Sequence, residues 1–388
     1  MHVPILSIIT VSCIHYIEVL YLKGGIYLAA RISNYYASAN SAQGFVSFFE
    51  DNVAGIDNFY ILKGGSGEFK SALMKRVGIN WYLKGYDIEY IHCASDEIEV
   101  EAVLIPALKL AVVDGDLEYI AQSRACGTSG EIVSLDSPTA CRAPQPEESI
   151  VSQLRGKIQE YYKKAYEQLQ KALGIHEEWE KIYLNGIDFS KLDVIADSAI
   201  KKFLSDMNLK KEGIIKNRFF GSLTYKGSID FVADLTRNLG KRYFIKGRPG
   251  SGKSTLLGKI ADAAHEKGFD VEIYRCVLDP GSIYMVIVRE LDFAVFDSTY
   301  PHEYSPVGAN DEVIDLYQLA IAPGTDEKYR DDLGSIISSY KDAISLGISF
   351  FSKAKELEDQ IKAIIGQKIS QEEIDKAYKA LIQKLNAL

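Results

Sequence analysis

The sequence predicts an α/β protein: two tandem copies of one unit, each a mainly parallel sheet flanked by helices, with helical arms added. Three observations predict it. The first is internal repetition. A shift of 183 positions, the distance from Gly64 to Gly247, carries Phe48 onto Phe231, Asp51 onto Asp234, Lys63 onto Lys246, Lys70 onto Lys253 and Ser71 onto Ser254. Without a gap it also carries Gly85 onto Gly268, Glu89 onto Glu272, Cys93 onto Cys276, Asp96 onto Asp279 and Asp114 onto Asp297. The second is that each copy alternates short apolar runs with helix-like segments, the pattern of buried strands covered by helices. The third is that each copy ends in a charged stretch of helical period.

Taken in order, Val3 to Leu22 is a long apolar run. His15 and Glu18 interrupt it, no Lys or Arg precedes it and no small-residue cleavage motif follows. Residues 1–33 therefore read as an apolar extension, not as a membrane span or a signal peptide. Copy one then occupies 34–215 and copy two 216–388. The boundary falls in Lys211 to Lys216, before Asn217-Arg-Phe-Phe-Gly221, which answers Asn34-Tyr-Tyr-Ala-Ser38. In copy one, Phe59 to Leu62 is a strand running into a glycine-rich turn. Lys70 to Leu83 is a helix closed by Gly85. Asp87 to Cys93 is a second strand, and Leu110 to Asp114 a third that ends on a carboxylate. Copy two repeats this with Tyr243 to Ile245, Lys253 to Lys267, Gly268, Asp270 to Cys276 and Phe293 to Asp297. Pro138 to Pro146, with three prolines, reads as an exposed loop. Glu147 to Leu184 and Asp326 to Leu388 are expected to be amphipathic helices packed on their own sheets. The sharper alternative is an arm for a protein partner.

The chain has 388 residues, enough for two domains with their own cores. Its 47% hydrophobic and 25% charged residues are those of an ordinary globular protein. A net charge of −9, with no dense Lys/Arg run, argues against a nucleic-acid partner. Five cysteines without a CxxC pair and six scattered histidines give neither a disulfide framework nor a zinc site, so a reducing cytoplasm is expected.

Chemistry concentrates in Gly247-Arg248-Pro249-Gly250-Ser251-Gly252-Lys253-Ser254-Thr255. This is a complete GxxxxGK[ST] loop between a strand and a helix. Gly250 and Gly252 let the backbone curl round an anion, and the following helix N-terminus points positive dipole at it. Lys253 is expected on the β/γ phosphates, with Ser254 and Asp297 on Mg²⁺. The units are thus two tandem P-loop NTPase-like domains. Asp297-Ser-Thr-Tyr-Pro-His-Glu303 adds His302 and Glu303 as candidates to position water or substrate. No glutamate directly follows Asp297, and Glu303, Glu290 and Glu312 are the candidate bases. Asp279 and Cys276 are expected to face the same crevice. In copy one the loop reads GGSGEFKSA from Gly64, with Phe69 where the second glycine belongs and Glu68 beside it. A Cβ, an aromatic ring and a like charge should exclude phosphate there.

These residues, with ILKGG from Ile61, YFIKGRPGSGKSTLL from Tyr243, His92-Cys93, Arg275-Cys276 and FDST-x-PHEY from Phe296, resemble an uncharacterised bacterial family of two-copy P-loop ATPase-like proteins. The resemblance runs from about Asn34 to the C-terminus. It implies an ATP-binding P-loop fold and a cytoplasmic location, and no particular substrate. Both loops are generally intact in that family, so Phe69 and Glu68 are departures. The reading that results is a Mg-dependent ATP-binding protein, an ATPase whose competent site lies in copy two. The alternatives are a small-molecule phosphotransferase, with Asp279 or His302 near the acceptor, and a non-catalytic nucleotide-gated scaffold. ATP is preferred to GTP because no NKxD guanine-reading motif is evident.

Overall fold

The computed structural model describes residues 30–135, 145–300, 302–365 and 371–386. Val3 to Leu22 and most of Pro138 to Pro146 lie outside the described residues. Copy one runs β1 (Ile32–Tyr35), β2 (Ser38–Ser41), β3 (Gly44–Ser47), α1 (Phe49–Val53), β4 (Asn58–Lys63) and α2 (Gly67–Tyr82). It continues through β5 (Ile88–His92), β6 (Val100–Ile105), β7 (Leu110–Asp114), α3 (Glu118–Ala121), α4 (Arg124–Ser129) and β8 (Gly130–Ser134). A long helix, α5 (Gln145–Leu184), and α6 (Phe189–Leu204) follow. Copy two repeats the order with β9 (Ile215–Phe219), β10 (Gly221–Thr224), β11 (Gly227–Asp230), α7 (Val232–Thr236), β12 (Lys241–Lys246) and α8 (Lys253–Glu266). Then come β13 (Val271–Arg275), β14 (Ile283–Val288), β15 (Phe293–Asp297), β16 (Asp311–Asp315), α9 (Leu316–Ala320), α10 (Thr325–Lys328), α11 (Arg330–Ile365) and α12 (Gln371–Leu385).

The two six-stranded sheets have the same order, β1-β5-β6-β7-β4-β8 and β9-β13-β14-β15-β12-β16. The offset of 183 superposes β1, β4, β5, β6 and β7 on β9, β12, β13, β14 and β15, with β16 two residues early relative to β8, and even the left-handed turn residues Lys109 and Asp292 coincide. The sheets are mixed rather than simply parallel. β6 runs antiparallel to β5 and β7, as β14 does to β13 and β15. The links into and out of β6 are short, and only antiparallel neighbours can be joined that way. Helix α2 and the outer sheet face of copy one bury Leu73, Met74, Val77 and Val112. Copy two buries Leu256, Leu257, Ile260 and Val295 in the same layer.

The helical arms correct the expectation that each would pack on its own sheet. α5 and α11 pair antiparallel, with Tyr162 against Phe351 and Trp179 against Tyr340. Each then carries the chain across to the other copy. α6 covers α8 of copy two through Ala196, Ala199 and Phe203, while α12 covers α2 of copy one through Leu381 and Leu385. Their outer stripes are charged, their inner stripes apolar. The arms are therefore exchanged between the halves.

The sheets meet edge to edge about a local twofold. Tyr36 and Phe219, equivalent positions, exchange both backbone bonds at 3.1 and 2.8 Å. Asn34 donates to Asp234 at 2.9 Å and its equivalent Asn217 donates to Asp51 at 2.7 Å. On the seam Arg218, 1% exposed, lies 2.9 Å from Glu89 and 3.6 Å from the equivalent Glu272, and its guanidinium covers the Tyr35 ring. No helix among the described residues is long and apolar enough to cross a membrane.

Candidate functional site

β12, β15 and β16 are parallel, so their carboxyl ends share one edge of the sheet. The loop Gly247 to Gly252 leaves β12 at that edge, and Ile245 pairs with Asp297 on the neighbouring β15. This adjacency sets the Asp297 carboxylate 3.5 Å from the Lys253 ammonium. Lys253 also donates to the Arg248 carbonyl at 2.7 Å, folding its chain back over the loop. Gly250 and Gly252 have φ of +74° and +84°, the left-handed region that a Cβ disfavours. Gly252 occupies the N-cap of α8, with no side chain capping the first turn. The amides of that turn are therefore available to an anion. Ser251, fully buried, braces the turn by accepting from the Arg248 amide.

Ser254 lies in the first turn of α8, where its hydroxyl accepts from the Ile283 amide at 2.9 Å. One lone pair and the proton remain. Asp297 accepts from Thr299 on Oδ1 and faces Lys253 with Oδ2. Lys246 ties the loop after β15 to the sheet through the Ser298 and Tyr304 carbonyls. Thr255 is exposed on the far side of the helix. His302 sits 3.5 Å from Asp230 at the end of β11, edge-on to Phe220 ahead of β10 and to Tyr284 of β14, which hold it as part of the loop's support. Glu303 is exposed. Glu290 pairs with Lys211 before β15 begins, at the opposite edge of the sheet, and Glu312 pairs with Lys202. Neither is brought to the loop. Burial pushes the Cys276 thiol up to about 11, which suits packing rather than nucleophilic chemistry.

Copy one shows how the same frame is closed. α2 starts at Gly67, three residues earlier than the offset predicts from α8, and Ser66 caps it by accepting from the Phe69 amide. The left-handed conformation has moved to Gly64 and Gly65. The Phe69 ring lies over Gly65, whose added Cβ would stand 2.9 Å from the ring. Lys70, almost fully buried, is held by Asp114 at 2.6 Å and by Asp116. Asp116 also accepts from the Gly64 amide at 3.0 Å. Carboxylates of the chain itself thus occupy the lysine and the loop amide. The equivalent of Asp116 in copy two is Thr299, which makes no such claim. The sequence reading found Phe69 and Glu68 but missed Asp116, whose only signal was an Asp/Thr difference two residues beyond a repeated carboxylate.

The structure adds residues that motif reading did not reach. The last turns of α5 lie on the copy-two loop. The Glu180 backbone is packed so closely on Gly250 that an added Cβ would stand 2.6 Å from the Glu180 carbonyl oxygen. His176 lies 3.6 Å from the Glu180 carboxylate. Burial, then the charge of Lys253, holds the His176 imidazole below its ordinary value. From α6, Leu192 touches Gly252. Arg248 donates to Asp326 at 2.7 Å, and Asp326 accepts from Tyr183 of α5 at 2.8 Å. The loop of copy two is therefore gripped by the arms. Compared with protein-family models, curated proteins and solved structures, the chain matches none.

Proposed function

We propose that copy two binds a purine nucleoside triphosphate, ATP by preference, with Mg²⁺, and hydrolyses it slowly, while copy one holds no nucleotide. The observation that carries this reading is the uncapped N-terminus of α8 with Lys253 and Asp297 beside it. Loop amides and the helix dipole receive the phosphates, and Lys253 neutralises charge on the β and γ oxygens. Its neighbour Asp297, 3.5 Å away, orients that ammonium. The residues fit a magnesium ion: Ser254 has a free lone pair and Asp297 a carboxylate oxygen not committed to a neutral donor. Ser254 and Asp297 would hold it, and it would supply charge neutralisation during phosphoryl transfer.

The test is calorimetric titration of the full chain with ATP and Mg²⁺, beside phosphate release. One nucleotide per chain is expected. Lys253→Ala removes charge-assisted bonds and should weaken binding by about 10- to 100-fold. Two nucleotides per chain, or binding indifferent to Lys253→Ala, overturns the reading. One observation favours the nucleotide-gated scaffold as a second reading: Ser298, not a carboxylate, follows Asp297, and Glu303 points to solvent. That reading predicts binding without turnover.

A further inference from the structure

We propose that the C-terminal turns of α5 form an autoinhibitory strap on the copy-two loop, with Glu180 a resident anion that incoming phosphates must displace. The inference rests on the nucleotide reading above. Two contacts hold the strap on the loop, a third sets the Glu180 side chain within α5, and a fourth, from α6, closes the loop's other side. The Glu180 backbone is seated on Gly250, at the centre of the loop. The Glu180 side chain is paired with His176 one turn earlier. Tyr183, one turn later, shares Asp326 with Arg248 of the loop. Leu192 closes the other side against Gly252.

The electrostatics agree with this placement. Burial raises the Glu180 carboxyl above its ordinary value, while the Lys253 charge and the Gly250 amide draw it back toward the anion. Those two groups are phosphate-binding groups of the loop. A carboxylate seated over Gly250 and within the field of Lys253 would compete with a phosphate for the same groups. Copy one supplies an independent instance of the same device, since Asp116 holds Lys70 and the Gly64 amide. There the carboxylate comes from the loop after β7, is joined by Phe69, and closure is permanent. In copy two it comes from the helical arm of the other half, so it can leave when the arm shifts.

Displacement has a route to the rest of the molecule. α5 is 40 residues long, about 60 Å of helix. It is paired along its length with α11, whose Lys362 bridges Glu68 and Glu99 beside the closed loop of copy one. Phosphates entering copy two would push on one end of a stiff helix pair whose other end is anchored at copy one.

Glu180→Gln keeps the shape of the side chain and removes its charge. Titration of the full-length variant with Mg-ATP, and separately with inorganic pyrophosphate, is expected to show about tenfold tighter binding than the wild type. Glu178→Gln, on the exposed face of the same helix, should leave both affinities unchanged. Tyr183→Phe, which frees the strap from Asp326, should tighten binding in the same direction. If the wild type binds ATP and Glu180→Gln binds it no more tightly, the strap is overturned and the nucleotide reading stands. Glu180→Gln that lowers turnover at unchanged affinity also overturns it, and makes Glu180 part of the hydrolytic step. If neither protein binds ATP or pyrophosphate, the nucleotide reading fails and takes the strap with it.

Discussion

Phe69 and Gly252 occupy equivalent positions, and the two residues separate the fates of the two loops. Phe69 does not act alone. Its ring covers Gly65 while Asp116 takes Lys70 and the Gly64 amide, and Ser66 has capped the helix that should have stayed open. Replacing Phe69 by glycine should therefore leave the stoichiometry at one nucleotide per chain, as read by calorimetry. Recovery of a second site would need Asp116→Thr as well. In copy two, Gly252→Ala meets both a left-handed backbone and the Leu192 side chain. It should cost about 1–2 kcal/mol in chemical denaturation and weaken nucleotide binding. The course of the loop was legible in the sequence because its left-handed turns fall on glycines at fixed spacing. Asp116 and Glu180 were not, since a carboxylate that arrives from a distant element leaves no local pattern. Glu180 lies 70 positions before Gly250 and belongs to the other half of the chain.

At the scale of elements, the strand–helix–strand grammar located β4, α2, β5 and β7 and their counterparts to within three residues. β6 and β14 escaped it. VEAVLI and IYMVIV are buried on both faces, so they show no alternation, and nothing local marks them as antiparallel. The seam strands β1 and β9 were noticed only as a repeated pair of segments, although β9 carries the buried Arg218 that joins the halves. Burial would raise the Glu272 carboxyl, but Arg289 at 2.7 Å and Arg218 outweigh it and hold it at about 2. Its folded value is thus below the ordinary 4.5 of an unfolded chain. Such a group stabilises the fold above pH 4.5 and loses that contribution as pH falls toward 2. Glu272→Gln should accordingly flatten the acid limb of a melting-temperature profile in that window. At neutral pH, Arg218→Met leaves the buried Glu89 carboxylate with the Tyr35 hydroxyl in place of its cation, while Glu272 keeps Arg289, and should destabilise the protein by about 3–5 kcal/mol, measured by denaturant unfolding.

For the whole molecule, the exchanged arms mean that the stability of each half depends on a helix encoded in the other. Leu381→Ala opens a cavity in the layer between α12 and α2, 1% exposed in the folded chain. It should cost about 2–5 kcal/mol, and hydrogen exchange should report the loosening in β4, α2 and β7, more than 200 residues upstream, with α8 unchanged. That there are two similar units could be read from the repeat. The crossing of the arms could not, because an amphipathic stripe says that a helix is covered and not by which neighbour.

The seam gives the duplication a direction. Tyr35 and Arg218 are equivalent positions placed against each other across the local axis, between the equivalent carboxylates Glu89 and Glu272. Two second halves brought together would crowd two guanidinium groups into that buried space, and two first halves would leave both glutamates facing only phenols. The buried seam is therefore balanced for two unlike halves, and a pairing of like halves would forfeit that balance.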